Sequence, residues 1–119
     1  MNIRDYFINN DYKLVSEYYS EEHFGNRGYT FKKDGVLFIY TCEMGIPYLE
    51  FNKNNSNNDL IIGIAPLLGI KEKLSDDRII ELLSKNYEII LKKIKNMSNS
   101  ELMNIKKQFA MKQYGVHLK

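Results

Sequence analysis

The residues that could act as nucleophiles or metal ligands are few and lie far apart. Cys42 is the single cysteine, and the two histidines, His23 and His117, are separated by most of the 119-residue chain. Zinc sites are typically marked by cysteines and histidines paired at short spacing, and the sequence contains no such pair. We therefore predict no metal site. Cys42 falls within an apolar run, which indicates a small buried hydrophobic residue rather than a nucleophile paired with a histidine.

The carboxylates form two doublets, neither of which suits acid–base catalysis. Glu21-Glu22 and Asp76-Asp77 each place two acids side by side in the sequence. Neighbouring residues point in different directions on a helix or a strand, so the two carboxylates of a doublet do not face one substrate. Phosphate-binding loops and hydrolase motifs are also absent from the sequence. We predict a protein that is not an enzyme and needs no cofactor. A small enzyme using Glu21, Glu22 or His23 is the least favoured alternative.

Size and composition predict one domain, residues 1–119, in the cytoplasm. Hydrophobic residues make up 44% of the chain and charged residues 27%, as in ordinary globular domains. The longest apolar stretch, Leu60 to Ile70, is about half of the roughly 20 residues that a membrane helix requires. The N-terminus shows no signal-peptide pattern, and a single cysteine fits a reducing compartment. We therefore expect no membrane association.

Apolar spacing and turn residues predict an α+β fold, in which an antiparallel β-meander of about four strands packs against a C-terminal helical hairpin. A short N-terminal helix is expected over residues 2–9. The strands are expected at residues 12–20, 29–32, 36–42 and 46–51. Asp34-Gly35 is the hairpin signal, and Pro47 places the last strand near an edge. Residues 60–70 fit a buried strand or a short helix, and we favour the helix.

The strand over residues 36–42 is apolar on both faces, which predicts a central position in the sheet. We expect helices on one side of it and aromatic residues on the other. Tyr87 and Ile90 are then expected to pack against Leu37 and Ile39.

Two C-terminal helices are predicted from capping residues and an apolar stripe. Ser75 is a suitable N-cap, with Asp76 and Asp77 favourably placed in the first turn. Ser98 and Glu101 form a capping box for the last helix, and Gly115 is a suitable C-cap. The stripe of the first helix has spacings of three and four and comprises Ile79, Leu83, Tyr87, Ile90, Ile94 and Met97. On the last helix, Leu102, Ile105 and Phe109 are expected to face inward.

The order of these features resembles that of small bacterial immunity-like proteins of polymorphic-toxin and contact-dependent inhibition systems. The segments that carry the resemblance are Phe24-Gly25-Asn26, Lys33-Asp34-Gly35, Val36–Tyr40, Leu67-Leu68-Gly69 and the two closing helices. The similarity covers most of residues 10–115. Such proteins often have Asp-Arg-Gly at the turn after the central strand, where this chain has Glu43-Met44-Gly45. The resemblance implies a cytoplasmic protein that binds and neutralises a cognate toxin by occlusion. The alternative is a phage- or bacterium-encoded adaptor or inhibitor without a toxin partner.

Charge and aromatic content differ between the two halves of the chain. Residues 1–60 have six basic and nine acidic residues, whereas residues 61–119 have eleven basic and six acidic residues. Twelve of the fifteen Phe and Tyr residues lie in residues 1–51. We therefore place the partner-binding surface in the first half, because Tyr supplies contact area and acidic groups attract a cationic partner. The predicted contact residues are Glu17, Tyr19, Glu21, Glu22, His23, Glu43 and Tyr48.

Two alternatives concern the charged residues. The acidic residues of the first half could be solvated loop charges above a buried aromatic layer. The lysines of the last two helices, Lys92, Lys93, Lys95, Lys106, Lys107 and Lys112, could form a nucleic-acid surface. These lysines also occupy the helix positions that lie outside the apolar stripe. This pattern favours a solvated outer face over a nucleic-acid partner.

Overall fold

The protein is seen in a computed structural model that describes residues 2–23, 25–53 and 60–114. The elements in chain order are α1 (Ile3–Asn9), β1 (Lys13–Ser20), β2 (Asn26–Lys33), β3 (Val36–Glu43), β4 (Ile46–Asn52), β5 (Ile61–Gly63), α2 (Ile64–Leu68), α3 (Asp76–Asn96) and α4 (Asn99–Tyr114). A single 3₁₀ turn, Glu21–His23, follows β1. Each strand pairs antiparallel with the next, which gives one sheet in the order β1-β2-β3-β4-β5. The predicted α+β meander with a short N-terminal helix and two C-terminal helices is confirmed, with a fifth strand added.

The helices cover one face of the sheet. Alternate residues of a strand point to opposite faces, and in β3 the buried residues are Val36, Phe38, Tyr40 and Cys42. The residues between them are only partly buried. Central placement of this strand and burial of Cys42 are therefore confirmed.

The predicted contact of α3 with Leu37 and Ile39 is wrong. Tyr87 instead stacks on Phe38, with the ring centroids 6.1 Å apart. Leu37 and Ile39 point to the opposite face because they alternate with Phe38 along the strand. Ile90 is fully buried, as expected. The buried aromatic residues Phe31, Phe38 and Phe51 thus lie on the same side of the sheet as the helices, and the aromatic residues of the other side are exposed tyrosines.

Residues 61–68 form both of the structures between which the sequence left a choice. The three-residue strand β5 pairs with residues 50–52 of β4, and α2 begins directly after Gly63. Gly69 ends α2 in a left-handed conformation with a φ of 70°, which glycine adopts without strain. Because β5 is so short, the half of β4 that contains Pro47 has no paired strand on its outer side among the described residues. The other half is internal.

Both C-terminal helices begin at the N-cap residues that the sequence predicts. The Ser75 hydroxyl accepts from the backbone N–H of Arg78 at 3.1 Å. In the capping box, Ser98 and Glu101 each accept the other's backbone N–H at 3.1 Å, and the bond from Ser98 lowers the pKa of Glu101. Gly115 lies outside the described residues. The buried residues of α3 are Ile79, Leu82, Leu83, Ile90 and Ile94, while Tyr87 and Met97 are partly buried.

Lysines of the helices are not all solvated. Lys93 donates to the carbonyl of Leu67 at 3.1 Å, and Lys106 donates to the carbonyl of Ile61 at 2.6 Å. These bonds tie α3 to α2 and α4 to β5. The expectation of a uniformly solvated lysine face is therefore wrong at these two positions. Within the described ranges, no helix combines the length and the apolar character needed to cross a bilayer.

Candidate protein-binding surface

Two loops meet at one end of the sheet, which we call the loop end and define as Ser20–His23 and Gly25–Asn26 of the β1–β2 connection and Glu43–Ile46 of the β3–β4 turn. The chain leaves β1, enters β2 and turns from β3 into β4 at this end. The side-chain oxygen of Asn26 accepts the backbone N–H of Met44 at 2.8 Å. This bond joins the β1–β2 connection to the β3–β4 turn, so the loops form one surface held by the sheet.

Large apolar side chains are concentrated in and beside the loop end. Nine such side chains are exposed among the described residues, and five of them lie here. They are Tyr18, Tyr19, Met44, Ile46 and Tyr48, with exposed fractions from 37% to 71%. Tyr18, Ile46 and Tyr48 lie on the open face of the sheet, whereas Tyr19 alternates with Tyr18 and points to the helix side. Scattered exposed apolar residues are normal, but several of them on one face are typical of a binding site.

Two of these tyrosines lie flat against the face of the sheet that the helices leave open. A Cβ atom at Gly28 would overlap the ring of Tyr18, and one at Gly63 would overlap the ring of Tyr48. Glycine on the neighbouring strand therefore lets each ring lie on the backbone. Tyr18, Gly28, Thr41 and Tyr48 share one cross-strand row. The Tyr18 ring leans onto β2 and the Tyr48 ring onto β5, so the two rings lie on either side of Thr41 on the open face.

Met44 stands at the tip of the β3–β4 turn in an unfavourable backbone conformation. Its φ is 52°, and Gly45 follows with a φ of 77°. The β2–β3 hairpin has nearly the same values, but with Asp34 and Gly35, the residue types that such two-residue turns prefer. A methionine at a positive φ is strained, and its side chain is 71% exposed. The turn thus presents an apolar side chain at the cost of backbone strain.

Acidic groups surround this apolar cluster. Glu21, Glu22 and Glu43 are exposed, and within the described ranges none of them forms an ion pair. Unpaired carboxylates leave a negative potential at the loop end.

The structure brings together most, but not all, of the predicted contact residues. Tyr19, Glu21, Glu22, Glu43 and Tyr48 lie at or next to the loop end, and Tyr19 is 68% exposed. His23 belongs to the 3₁₀ turn, but its side chain lies outside the described part.

Glu17 lies farther along β1 and already has a partner. Its carboxylate accepts from Nε of Arg4 at 3.1 Å, and this bond raises the pKa of Arg4.

The predicted contact residues did not include Tyr18, Met44 or Ile46. A signal for Met44 was present, since a two-residue turn with Met before Gly departs from the usual Asn-Gly or Asp-Gly.

A second group of polar residues lies on the helix side of the sheet. The hydroxyl of Tyr40 donates to Asp76 at 2.6 Å, and Arg27 lies 3.9 Å from the other oxygen of that carboxylate. Burial, and then the bond to Asp76, raise the pKa of Tyr40. Arg27 and Asp76, but not the buried Tyr40, line an open pocket of about 560 Å³ together with Cys42. The visible effect of these polar residues is to hold the first turn of α3 against β3.

No group of three or more His, Cys, Asp or Glu in the described segments is arranged to hold a metal ion. No protein-family model, curated protein or solved structure matches the chain.

Proposed function

We propose that the protein is an immunity protein that binds a bacterial toxin through the loop end of its sheet and neutralises it by occlusion. The observation that carries this proposal is the cluster of exposed apolar side chains bordered by unpaired glutamates. Protein interfaces have this anatomy, with aromatic and methionine side chains inside a polar rim. The partner surface is then cationic around an apolar centre.

The sheet favours tight binding because it holds the contact residues in place. Tyr18 and Tyr48 are fixed against glycines, and Met44 is bonded through its backbone to Asn26. Contact residues that are already ordered lose little conformational entropy on binding. An inhibitor that acts by covering a toxin needs this property, because it supplies no chemistry of its own.

The test is protection of a sensitive bacterial host that expresses the toxin gene adjacent to the gene for this chain. The wild-type chain restores growth, whereas the double variant Met44→Ser, Ile46→Ser does not. The matched control is Met103→Ser, Ile89→Ser, which removes the same two residue types from exposed positions on α4 and α3. We expect the control to protect fully. A stably folded wild-type chain that gives no protection would overturn the proposal, and binding of the toxin without protection would favour an adaptor.

A further inference from the structure

The outer edge of β1 has no neighbouring strand among the described residues. β1 is the first strand of the sheet and pairs only with β2. Residues 15–19 are all exposed, and they include the large side chains of Val15, Tyr18 and Tyr19. Alternate residues of a strand point to opposite faces, so both faces of β1 are exposed over this stretch. This pattern indicates that no described helix or loop covers the edge.

The β2–β3 hairpin shows which backbone groups of β1 point outward. Lys33 and Val36 flank a two-residue turn, so they exchange hydrogen bonds across it. Direction alternates along a strand, which makes the even-numbered residues of β2 the ones that face β1. Their partners in β1 are Ser16, Tyr18 and Ser20. The N–H and C=O groups of Glu17 and Tyr19 therefore point away from the sheet, and both residues are exposed.

Most of this edge lacks the features that keep edge strands from pairing with other chains. Proteins usually protect such edges with Lys, Pro, a β-bulge or a very short strand. β1 has a bulge at Val15, but residues 16–20 follow it in regular register and contain neither Lys nor Pro. Glu17 is the one charged residue among them, and Arg4 already binds its carboxylate. Its charge therefore does little to oppose a second strand.

Two copies of β1 are complementary when they run antiparallel about a two-fold axis at Tyr18. Each Tyr18 then faces its counterpart, and Glu17 of each copy faces Tyr19 of the other. These are the residues with outward backbone groups, so each Glu17–Tyr19 pair exchanges both of its N–H···O bonds. The Tyr18 ring leans onto β2, which leaves the axis clear.

Charges at the two ends of β1 favour the same arrangement. Exposed Lys13 lies at the start of the strand, and exposed Glu21 and Glu22 follow its end. Antiparallel pairing brings Lys13 of each copy to the end where the other copy has these glutamates. Opposite charges thus meet on both sides of the axis, whereas parallel strands would bring like charges together.

We infer that the protein is a homodimer in which the β1 strands of two copies pair antiparallel and join their five-stranded sheets into one. Two-fold pairing of this kind is the commonest symmetry of soluble oligomers. One strand pair buries little area, so the dissociation constant is expected in the micromolar range. β2 lies between β1 and the turn that contains Met44, so the dimer leaves that turn accessible at both of its ends. Dimer formation is therefore independent of the proposed toxin binding.

Analytical ultracentrifugation over a range of concentrations measures the dimer. The wild-type chain is expected to sediment as a dimer at high micromolar concentration and as a monomer on dilution. Tyr19→Pro removes an outward N–H but no bond between β1 and β2, and proline is tolerated at such edge positions. It should raise the dimer dissociation constant about tenfold or more. Tyr19→Thr is the matched control, because it also lacks the ring but keeps the N–H, and it should dimerise nearly as well as the wild type.

Disulfide cross-linking in a Cys42→Ala background, which leaves no other thiol, tests the register. Tyr18→Cys places the thiols of two copies opposite each other, with Cα atoms about 4.5 Å apart, a separation that suits a disulfide. Ser16→Cys is the control on the same face of β1, because its Cα atoms lie roughly 14 Å apart in this register. Mild oxidation should link Tyr18→Cys and leave Ser16→Cys unlinked.

Three results would each rule out this dimer. They are a wild-type chain that stays monomeric at millimolar concentration, a folded Tyr19→Pro variant that dimerises at the wild-type level, and equal cross-linking of Tyr18→Cys and Ser16→Cys. Circular dichroism shows whether each variant is folded. If Tyr19→Pro does not fold, the cross-linking pair decides alone.

Discussion

At the scale of single residues, the two hairpins allow a direct comparison of the same turn with different residues. Asp34-Gly35 satisfies the need for two positive φ values, whereas Met44-Gly45 does so with a strained methionine. We predict that Met44→Asn raises the free energy of unfolding by about 1 kcal/mol, because asparagine tolerates the left-handed conformation better. Urea denaturation of the purified protein measures this change. The same variant should bind the partner less well, because it removes an exposed apolar contact.

Met44→Leu is the control for this prediction. It keeps an apolar side chain and the same backbone strain, so stability and partner binding should both stay close to the wild-type values. If Met44→Asn is no more stable than Met44→Leu, the methionine is not strained. Backbone strain at Met44 would then not be a feature retained for binding.

At the scale of the elements, the sequence predicted the order and type of strands and helices better than it predicted which face of the sheet the helices cover. Capping residues act locally, so Ser75 and the Ser98–Glu101 box could be identified directly. The covered face of β3 is not a local property, since that strand is apolar on both sides. The neighbouring strand decides it, because β2 places Phe31 on one face and the small residues Gly28 and Thr30 on the other.

Residues 60–70 show a different limit of sequence reasoning. An apolar run without a clear period does not distinguish a buried strand from a buried helix. The structure uses both, because the first part of the run completes the sheet and the second begins to cover its edge. Whether each part of this run forms a strand or a helix depends on the space between β4 and α4. No local sequence pattern specifies that space.

Ile89 and Ile90 test the face of α3 that packs against the sheet. These two isoleucines are adjacent, but Ile90 is fully buried and Ile89 is 51% exposed. We predict that Ile90→Ala lowers the free energy of unfolding by about 2–5 kcal/mol, because it leaves a cavity in the core. Ile89→Ala should change it by less than about 0.5 kcal/mol, as at other exposed positions. Chemical denaturation of both variants gives the comparison, and similar losses would show that the helix is rotated from the face described.

At the scale of the whole molecule, the sequence shows that most tyrosines and many glutamates lie in the first half of the chain. It does not show which of these residues lie at the loop end and which are buried or paired elsewhere. Glu17 is paired with Arg4, and Tyr12 and Tyr40 are buried in the core. Sequence position alone could not separate these residues from Tyr18 and Tyr19. Tyr40 lies on the helix-covered face of β3, and Glu17 lies within reach of Arg4 in α1, so tertiary contacts decide the separation.

The separation of charge between the loop end and the helices leads to a prediction about association rates. Opposite charges attract over distances of about 10 Å in 0.1 M salt and about 30 Å in 0.01 M salt. If the partner is the proposed cationic toxin, Glu21→Lys with Glu22→Lys should therefore slow association with it, by about tenfold at low salt and less at high salt. The dissociation rate should change little, because these glutamates lie on the rim of the apolar cluster.

Lys92→Glu with Lys95→Glu is the matched control. Both lysines are exposed on α3, and the pair changes the net charge by the same amount in the opposite direction. Lys93 is left intact because its bond to the carbonyl of Leu67 supports the fold. Stopped-flow measurement of association at two salt concentrations compares the two pairs. If the lysine pair slows association while the glutamate pair does not, the helices carry the binding surface, because long-range attraction then acts through the basic half of the molecule.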